Sequence, residues 1–475
     1  MTGIQNLKHN LIGNRNFYRQ VLIILVPIII QNTISNVVSL VDNVMVGRVG
    51  TLPMSAVAIV NQLIFVFYLC VFGGLSGAGI FSSQFVGAEN KKGIRYAFRM
   101  KIYIAFVITT LAILIFVLFP DKLINMYLTK NTSPQDAAET LNYAKGYLWI
   151  MLPGLLPFAV SQIYSSTLRE LGETKIPMIA SVAAIMANVV FNYILIYGNE
   201  GLNFLPFAPM GVKGAAIATS LSRYVEMAIV MFVVHSRAKE YDFIIGIYKS
   251  LKVPIKLCKD ILIKGSPILV NEFTWSVCMA LLMQSYSLRG IGVIAATNIC
   301  STVANLFNAF YISLGSAIAI MAGQHLGANR IEEAKTTVWR LLALAVASCI
   351  FMGVILYSIS SVVPNAYNTT NEVRTIASSL LKIVAFMMPF NAFCHGCYFA
   401  MRSGGKTIMT LMFDSGFIML ISLPLAFAIA NFTDLPIVPF FLAVQAVEAV
   451  KAVSAGILIK SGIWIHNIVK DEITV

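Results

Sequence analysis

Charge is what this chain has least of. Asp, Glu, Lys and Arg make up 12% of its 475 residues, about half the share of an average soluble domain. Hydrophobic residues make up 58%, and the mean hydropathy is +0.80. That balance excludes a solvated globular domain and puts the chain in a bilayer, where the usual length-per-domain prior does not apply. Cysteine is also scarce and scattered: seven residues, an odd number, mostly in apolar segments. This gives no disulfide framework and no zinc spacing. Cys394 and Cys397 in CHGC read as small residues on a packed helix face. The five histidines form no cluster with acids at one membrane face, so a membrane-embedded enzyme has no visible centre. A phosphate loop is missing too. GGLSGAG at 73–79 lacks the lysine and hydroxyl residue that should follow, and MRSGGKT lacks the first glycine and the preceding strand. Without an ATP site, any transport must draw on an ion gradient. No cleavable signal peptide is evident, since the polar, basic start gives way to an apolar stretch long enough to span.

Long apolar runs are what the chain does have. A span needs about 20 residues, and twelve segments qualify: 21–45, 54–81, 98–119, 143–165, 176–197, 211–234, 261–286, 293–322, 339–363, 379–401, 407–430 and 436–460. The longest polar connection, 236–260, divides residues 1–235 (an N-lobe, helices 1–6) from 261–475 (a C-lobe, helices 7–12). Its FIIGIYKSLK portion is expected to lie on the membrane surface as an amphipathic helix. With the N-terminus inside, the inner segments hold 25 of the 34 Lys and Arg, the outer loops hold 8, and Arg223 lies within span 6. The rule that positive loops stay in the cytoplasm puts both termini there. The net charge of +13 is then a topology signal plus attraction to anionic lipid, and no nucleic-acid partner is needed.

The halves repeat. At an offset of 240, Pro27 meets Pro267, Ile28 meets Ile268, Val37 meets Val277, Gly50 meets Gly290, Ala56 meets Ala296 and Phe67 meets Phe307. Gln84, Gly87 and Ala88 meet Gln324, Gly327 and Ala328, and at an offset of 233 Arg169, Gly172 and Thr174 meet Arg402, Gly405 and Thr407. Six spans separate the copies, an even number, so the halves run parallel, a common transporter plan.

Ionisable groups inside spans cost at least about 2.5–3.5 kcal/mol at the bilayer centre on insertion scales, and they usually face a cavity or a partner. The census is Asp42, Arg223, Glu226, Glu272, Asp414, Glu448, Lys451 and His395. Counting residues from the loop glycines at about 1.5 Å each puts Asp42, Asn192 and Thr219 at similar depth. Asn188 and Asn192 share a helix face, as do Ala215 and Thr219. A carboxylate, two amide oxygens, a hydroxyl and a backbone carbonyl can converge there, the hard oxygen donors a hard cation requires. The competing reading makes Asp42 the solvated end of span 1 and the asparagines interhelical glue. Glu272, near mid-depth of span 7, reads as a cavity-facing carboxylate or as a neutral glutamate bonded to a neighbouring helix. Asp414 is read as half solvated, with no role. Arg223 with Glu226, and Glu448 with Lys451, are three residues apart and read as structural ion pairs.

VDNVMVGRVG at 41–50, QFVGAENKKG at 84–93, LRELGETKIP at 168–177, ANVVFNYILIYG at 187–198 and GVKGAAIATSLSRYVE at 211–226 together resemble the multidrug and toxic compound extrusion (MATE) family. QHLGANR and MRSGGKT continue the resemblance in the second half. It implies an all-α integral membrane protein of twelve transmembrane helices in two six-helix lobes around a central cleft. It also implies antiport of a substrate against Na⁺ or H⁺. The family's acidic residue on helix 1 matches Asp42, and its coupling-ion site matches Asn188, Asn192, Ala215 and Thr219. Several members have an aspartate at the Asn192 position, so this site carries one formal charge. The family's C-lobe glutamate matches Glu272, and its partner aspartate falls at Asn391.

These readings converge on a multi-pass inner-membrane exporter that exchanges organic, mostly cationic compounds for Na⁺ or H⁺, with Na⁺ preferred because neutral oxygens suit it. Asp42, Glu272 and Asn391 are the expected substrate contacts, among Met, Phe and Tyr side chains that suit an aromatic cation. No enzyme activity, no cofactor beyond the coupling ion and no partner beyond substrate and membrane lipid are expected, and the chain is expected to be a monomer. The alternatives are a lipid-linked precursor flippase of the same superfamily, whose cationic cavity the acidic interior argues against, and a channel.

Overall fold

The structure is a computed structural model that describes residues 11–47, 51–127, 134–201, 208–367 and 369–470. Among the described residues, twelve helices are long and apolar enough to cross a membrane. They are α1 (Arg15–Gly47), α2 (Thr51–Gly87), α3 (Lys91–Leu118), α4 (Pro134–Glu170), α5 (Lys175–Gly201) and α6 (Gly211–Ser236). The second set is α7 (Ile255–Ser287), α8 (Ile291–Gly327), α9 (Ile331–Ile359), α10 (Asn371–Ser403), α11 (Thr407–Phe432) and α12 (Ile437–Lys460). In lipid only a helix satisfies its own backbone along a single segment, which is why each apolar run adopts one. Several helices outrun their apolar cores. α4 has 37 residues because polar residues on both flanks continue the ladder. Outward faces stay apolar, as at Val450, Val453 and Ile457 along α12, while Phe440, Val444 and Ala455 are buried.

The chain packs as two compact units. One comprises Ile30–Gly79 and Lys91–Lys259, the other Met1–Ile29, Ile80–Asn90 and Asp260–Val475. α1 therefore contributes to both, and it passes from one to the other just after Pro27, which has no N–H for the helix ladder. Val21, Ile24, Leu25 and Ile28 belong to the same buried cluster as residues of α7 to α12.

The repeated loops fold alike. Glu89 and Asn329, one repeat apart, both have positive φ (56° and 58°). Each loop is closed by the same bonds, Ala88 N to Gln84 O at 2.9 Å and Ala328 N to Gln324 O at 3.0 Å. Gly172 and Gly405, also paired, have φ of 87° and 72°, where a side chain would be strained.

The segment after α6 departs from expectation. It is not an amphipathic helix but a series of turns around a short 3-10 helix at Asp242–Ile244. Arg95 and Arg99 on α3 explain this. Their guanidinium groups donate to the carbonyls of Phe243 (3.3 Å), Ile247 (3.3 Å) and Lys252 (2.9 Å), acceptors a helix would use internally. Gly246, at φ 70°, completes the break.

Candidate functional site

Asp42, Asn188, Asn192 and Thr219 come together in the first-named unit. α6 lies close against α5 because Gly214 has no side chain: a Cβ there would stand 2.5 Å from the Leu195 carbonyl oxygen. Met210 N donates to that same oxygen at 3.1 Å. One turn earlier on α5, Asn192 is 1% exposed. Its Nδ2 donates to Asp42 Oδ1 at 2.8 Å and to Asn188 Oδ1 at 3.2 Å. With the Asn188 amide in that orientation, its nitrogen donates to Thr219 Oγ1 at 3.4 Å. Exchanging its oxygen and nitrogen satisfies its neighbours better, and the nitrogen then reaches both Asp42 oxygens at 3.0 and 3.1 Å. Ala215 is buried one turn before Thr219 and has only its carbonyl to offer. Tyr197 ties α5 to α1 by donating to the Met45 carbonyl at 3.4 Å.

Two features set this cluster apart from ordinary interhelical glue. The Asn192 Oδ1 is buried and has no hydrogen-bond partner, an omission that costs about 1–3 kcal/mol. The cation nearest along α6, Arg223, is engaged elsewhere. It pairs with Glu226 at 3.3 Å, reaches Tyr68 Oη at 3.5 Å, and lies over the Tyr68 and Phe158 rings at 5.4 and 5.2 Å. The expected Arg223–Glu226 pair is therefore present. An acceptor-rich pocket with one carboxylate and an idle amide oxygen is chemically fitted to a small hard cation or to a proton.

The other unit holds a separate polar chain. Tyr398 on α10 donates to Glu272 Oε1 at 2.8 Å, which gives Glu272 a bonded neighbour. Asn271 donates to Tyr398 Oη at 3.3 Å and to Asp414 Oδ2 at 3.1 Å, and accepts from the Ser415 backbone and hydroxyl. Asp414 is thus no half-solvated bystander. Lys451 Nζ lies 3.1 Å from Asp414 and 3.6 Å from Glu448, so the expected Glu448–Lys451 pair exists but is the longer of two. Asp414 sits where α11 widens into π turns, Met412–Gly416 and Ile418–Ser422, a distortion frequent at functional sites. Asn391 is half-buried on α10, and among the described residues no hydrogen bond joins it to Glu272. Cys394 and Cys397 are buried and unpaired. Among the described residues no group of three His, Cys, Asp or Glu could hold a metal ion.

Sequence reasoning passed over Tyr398, Asn271 and the Asp414–Lys451 bond. Tyr398, three residues after the CHGC histidine, was the available signal, and nothing in α10 alone linked it to Glu272.

The MatE family model matches residues 27–194 and 267–428. The two matches begin 240 residues apart, the offset of the internal repeat. The chain belongs to the MatE family, a family of multi-pass membrane transporters. This MatE chain is 29% identical over 422 residues to a probable multidrug resistance protein NorM of Oceanobacillus iheyensis, with 87% of this chain and 90% of that one covered. It is 25% identical over 442 residues to a probable NorM of Thermotoga maritima, with coverage of 92% and 91%. Its fold matches a mutant of the Vibrio cholerae MATE transporter VcmN with a TM-score of 0.82, at 17% identity, over 94% and 97% of the two chains. A MOP superfamily transporter from Pyrococcus furiosus gives 0.80 at 16% identity, over 96% and 97%. These MatE relatives do not favour the flippase alternative.

Proposed function

We propose that this MatE protein is a secondary-active exporter that exchanges amphiphilic organic cations for Na⁺ or H⁺. The observation that carries the reading is the unbonded Asn192 oxygen buried beside Asp42. Asp42, Asn188, Asn192, Thr219 and the Ala215 carbonyl form the coupling site, with Asp42 supplying the charge. The names of the NorM relatives support multidrug substrates. Asp42, Glu272 and Asn391 contact the substrate, and Met, Phe and Tyr side chains receive its aromatic body.

An ion can drive export only by binding one arrangement of the protein better than another. In this reading the movable part is α1 beyond Pro27. A cation on Asp42 draws that half of α1 towards α5 and α6 and removes the charge that held the substrate. The Lys and Arg bias supports a plasma-membrane orientation with both termini in the cytoplasm, and one chain carries a complete site set, so a monomer suffices.

The test is efflux of a fluorescent organic cation from proteoliposomes, with a Na⁺ gradient or a pH gradient imposed separately. Flux under one gradient, lost at least tenfold in Asp42→Asn, is expected. Gradient-driven flux that survives Asp42→Asn unchanged would reduce Asp42 to the polar end of a helix and sink the reading.

A further inference from the structure

The segment between α6 and α7 takes no part in the polar clusters, yet it is tightly built. Tyr241, Phe243, Ile244 and Ile247 are buried, and Arg95 and Arg99 hold its carbonyls against α3. The opposite side is apolar and open: Ile245, Tyr248, Leu251 and Ile255 are all exposed, Ile255 at 84%. Tyr103 on α3 donates to the Leu251 carbonyl at 3.0 Å. Tyr103 is exposed, and so are Phe106 and Val107, three and four residues further along the same face. That face is the flank of a spanning helix, which lipid covers. The apolar side of the segment therefore continues a lipid-facing surface. Lys249, Lys252, Lys256 and Lys259 are exposed alongside, and no acidic residue lies between Asp242 and Asp260.

We propose that residues 245–259 form a docking site for an anionic phospholipid. Its acyl chains lie against Ile245, Leu251 and Ile255, and its phosphate is held by Lys249, Lys252 and Lys256. Tyr248 sits at the junction, as aromatic rings do at membrane interfaces. Charge decides between lipids: a zwitterionic headgroup would gain little from four lysines, whereas each lysine near an anionic surface contributes about a fivefold gain in binding. The proposal needs the helices to span a membrane, and it does not depend on antiport.

The test uses the purified full-length protein in detergent. Phosphatidylglycerol or phosphatidylcholine is titrated in, and half-saturation is read from the thermal shift. Phosphatidylglycerol is expected to bind at least tenfold more tightly. The triple variant Lys249→Gln/Lys252→Gln/Lys256→Gln should weaken it on the order of 100-fold, leaving phosphatidylcholine binding and the lipid-free melting temperature unchanged. Leu251→Trp should gain fluorescence that phosphatidylglycerol brominated on its acyl chains quenches, beyond the quenching of the native tryptophans. Equal affinity for the two lipids, or wild-type binding by the triple variant, would overturn the proposal. So would an unquenched Leu251→Trp. Dimerisation that shields Leu251→Trp would make a second copy of the chain the occupant and overturn it equally.

Discussion

Asn192 gives its nitrogen to Asp42 and keeps its oxygen idle. A sodium ion needs that oxygen, whereas a proton on Asp42 does not. Asn192→Ala is therefore expected to abolish Na⁺-driven flux while sparing most pH-driven flux, measured in the same proteoliposomes. Equal losses under both gradients would mean that Asn192 acts only by holding Asp42 in place. Lys451 poses the opposite case, a buried charge already paired. Lys451→Met strands Asp414 and Glu448 together, and removing one partner of a buried pair costs about 3–5 kcal/mol. Thermal unfolding in detergent should reveal that loss, and adding Asp414→Asn should recover part of it. A double variant no more stable than Lys451→Met would place the cost in lost packing around the long lysine side chain.

Helices carry the site because α5 and α6 approach closely at one glycine. Gly214→Val would push a branched side chain into the Leu195 carbonyl. Overpacking of this kind costs about 1–3 kcal/mol, and parting α5 from α6 would separate Asn188 from Thr219. A lower melting temperature and ion-driven flux reduced at least tenfold are expected. Gly146→Val, where a Cβ meets nothing within 4 Å, should change neither. The same scale explains what the sequence revealed. Apolar runs of bilayer length announce twelve helices, and spacings of four residues put Asn188 with Asn192 and Ala215 with Thr219 on shared faces. Depth counting then brought Asp42 level with them. Partners far apart in the chain leave no such periodicity. Tyr398 and Glu272 are 126 residues apart, Lys451 and Asp414 are 37 apart, and Arg95 and Phe243 are 148 apart. The last pairing turned an expected surface helix into a pinned series of turns. The π turns of α11 re-aim Asp414, which an ordinary helical count cannot foresee.

Among the described residues three helices run through both compact units: α1, α2 and, by its first five residues, α7. The end of α2, from Ile80, packs with the later half of the chain, and Gln84 is the side chain that ties it there. Gln84 is fully buried. Its Nε2 donates to the carbonyls of Ser403 at 2.9 Å and His466 at 3.1 Å, and its Oε1 accepts from Ile468 N at 2.8 Å. Gly87 and Gly327, equivalent in the repeat, let the ends of α2 and α8 touch backbone to backbone: a Cβ on either would strike the carbonyl of Gln324 or Gln84. Beneath them the segment after α12 is drawn in, with Trp464 and Val469 buried and Asn467 donating to the Gly327 carbonyl at 3.3 Å. One glutamine thus satisfies three backbone groups from two distant segments. Gln84→Leu keeps the bulk and strands all three, at about 1–3 kcal/mol for each group left buried and unpaired. The chain after α12 should then open far more often. Cleavage by trypsin at Lys460, which tracks the open population when reclosing is fast, should rise at least tenfold, with the helical content by circular dichroism unchanged. Unaltered cleavage would mean that the packing of Trp464 and Val469 holds the segment without Gln84, and that the repeated glutamine serves the backbone crossing of α2 and α8 alone.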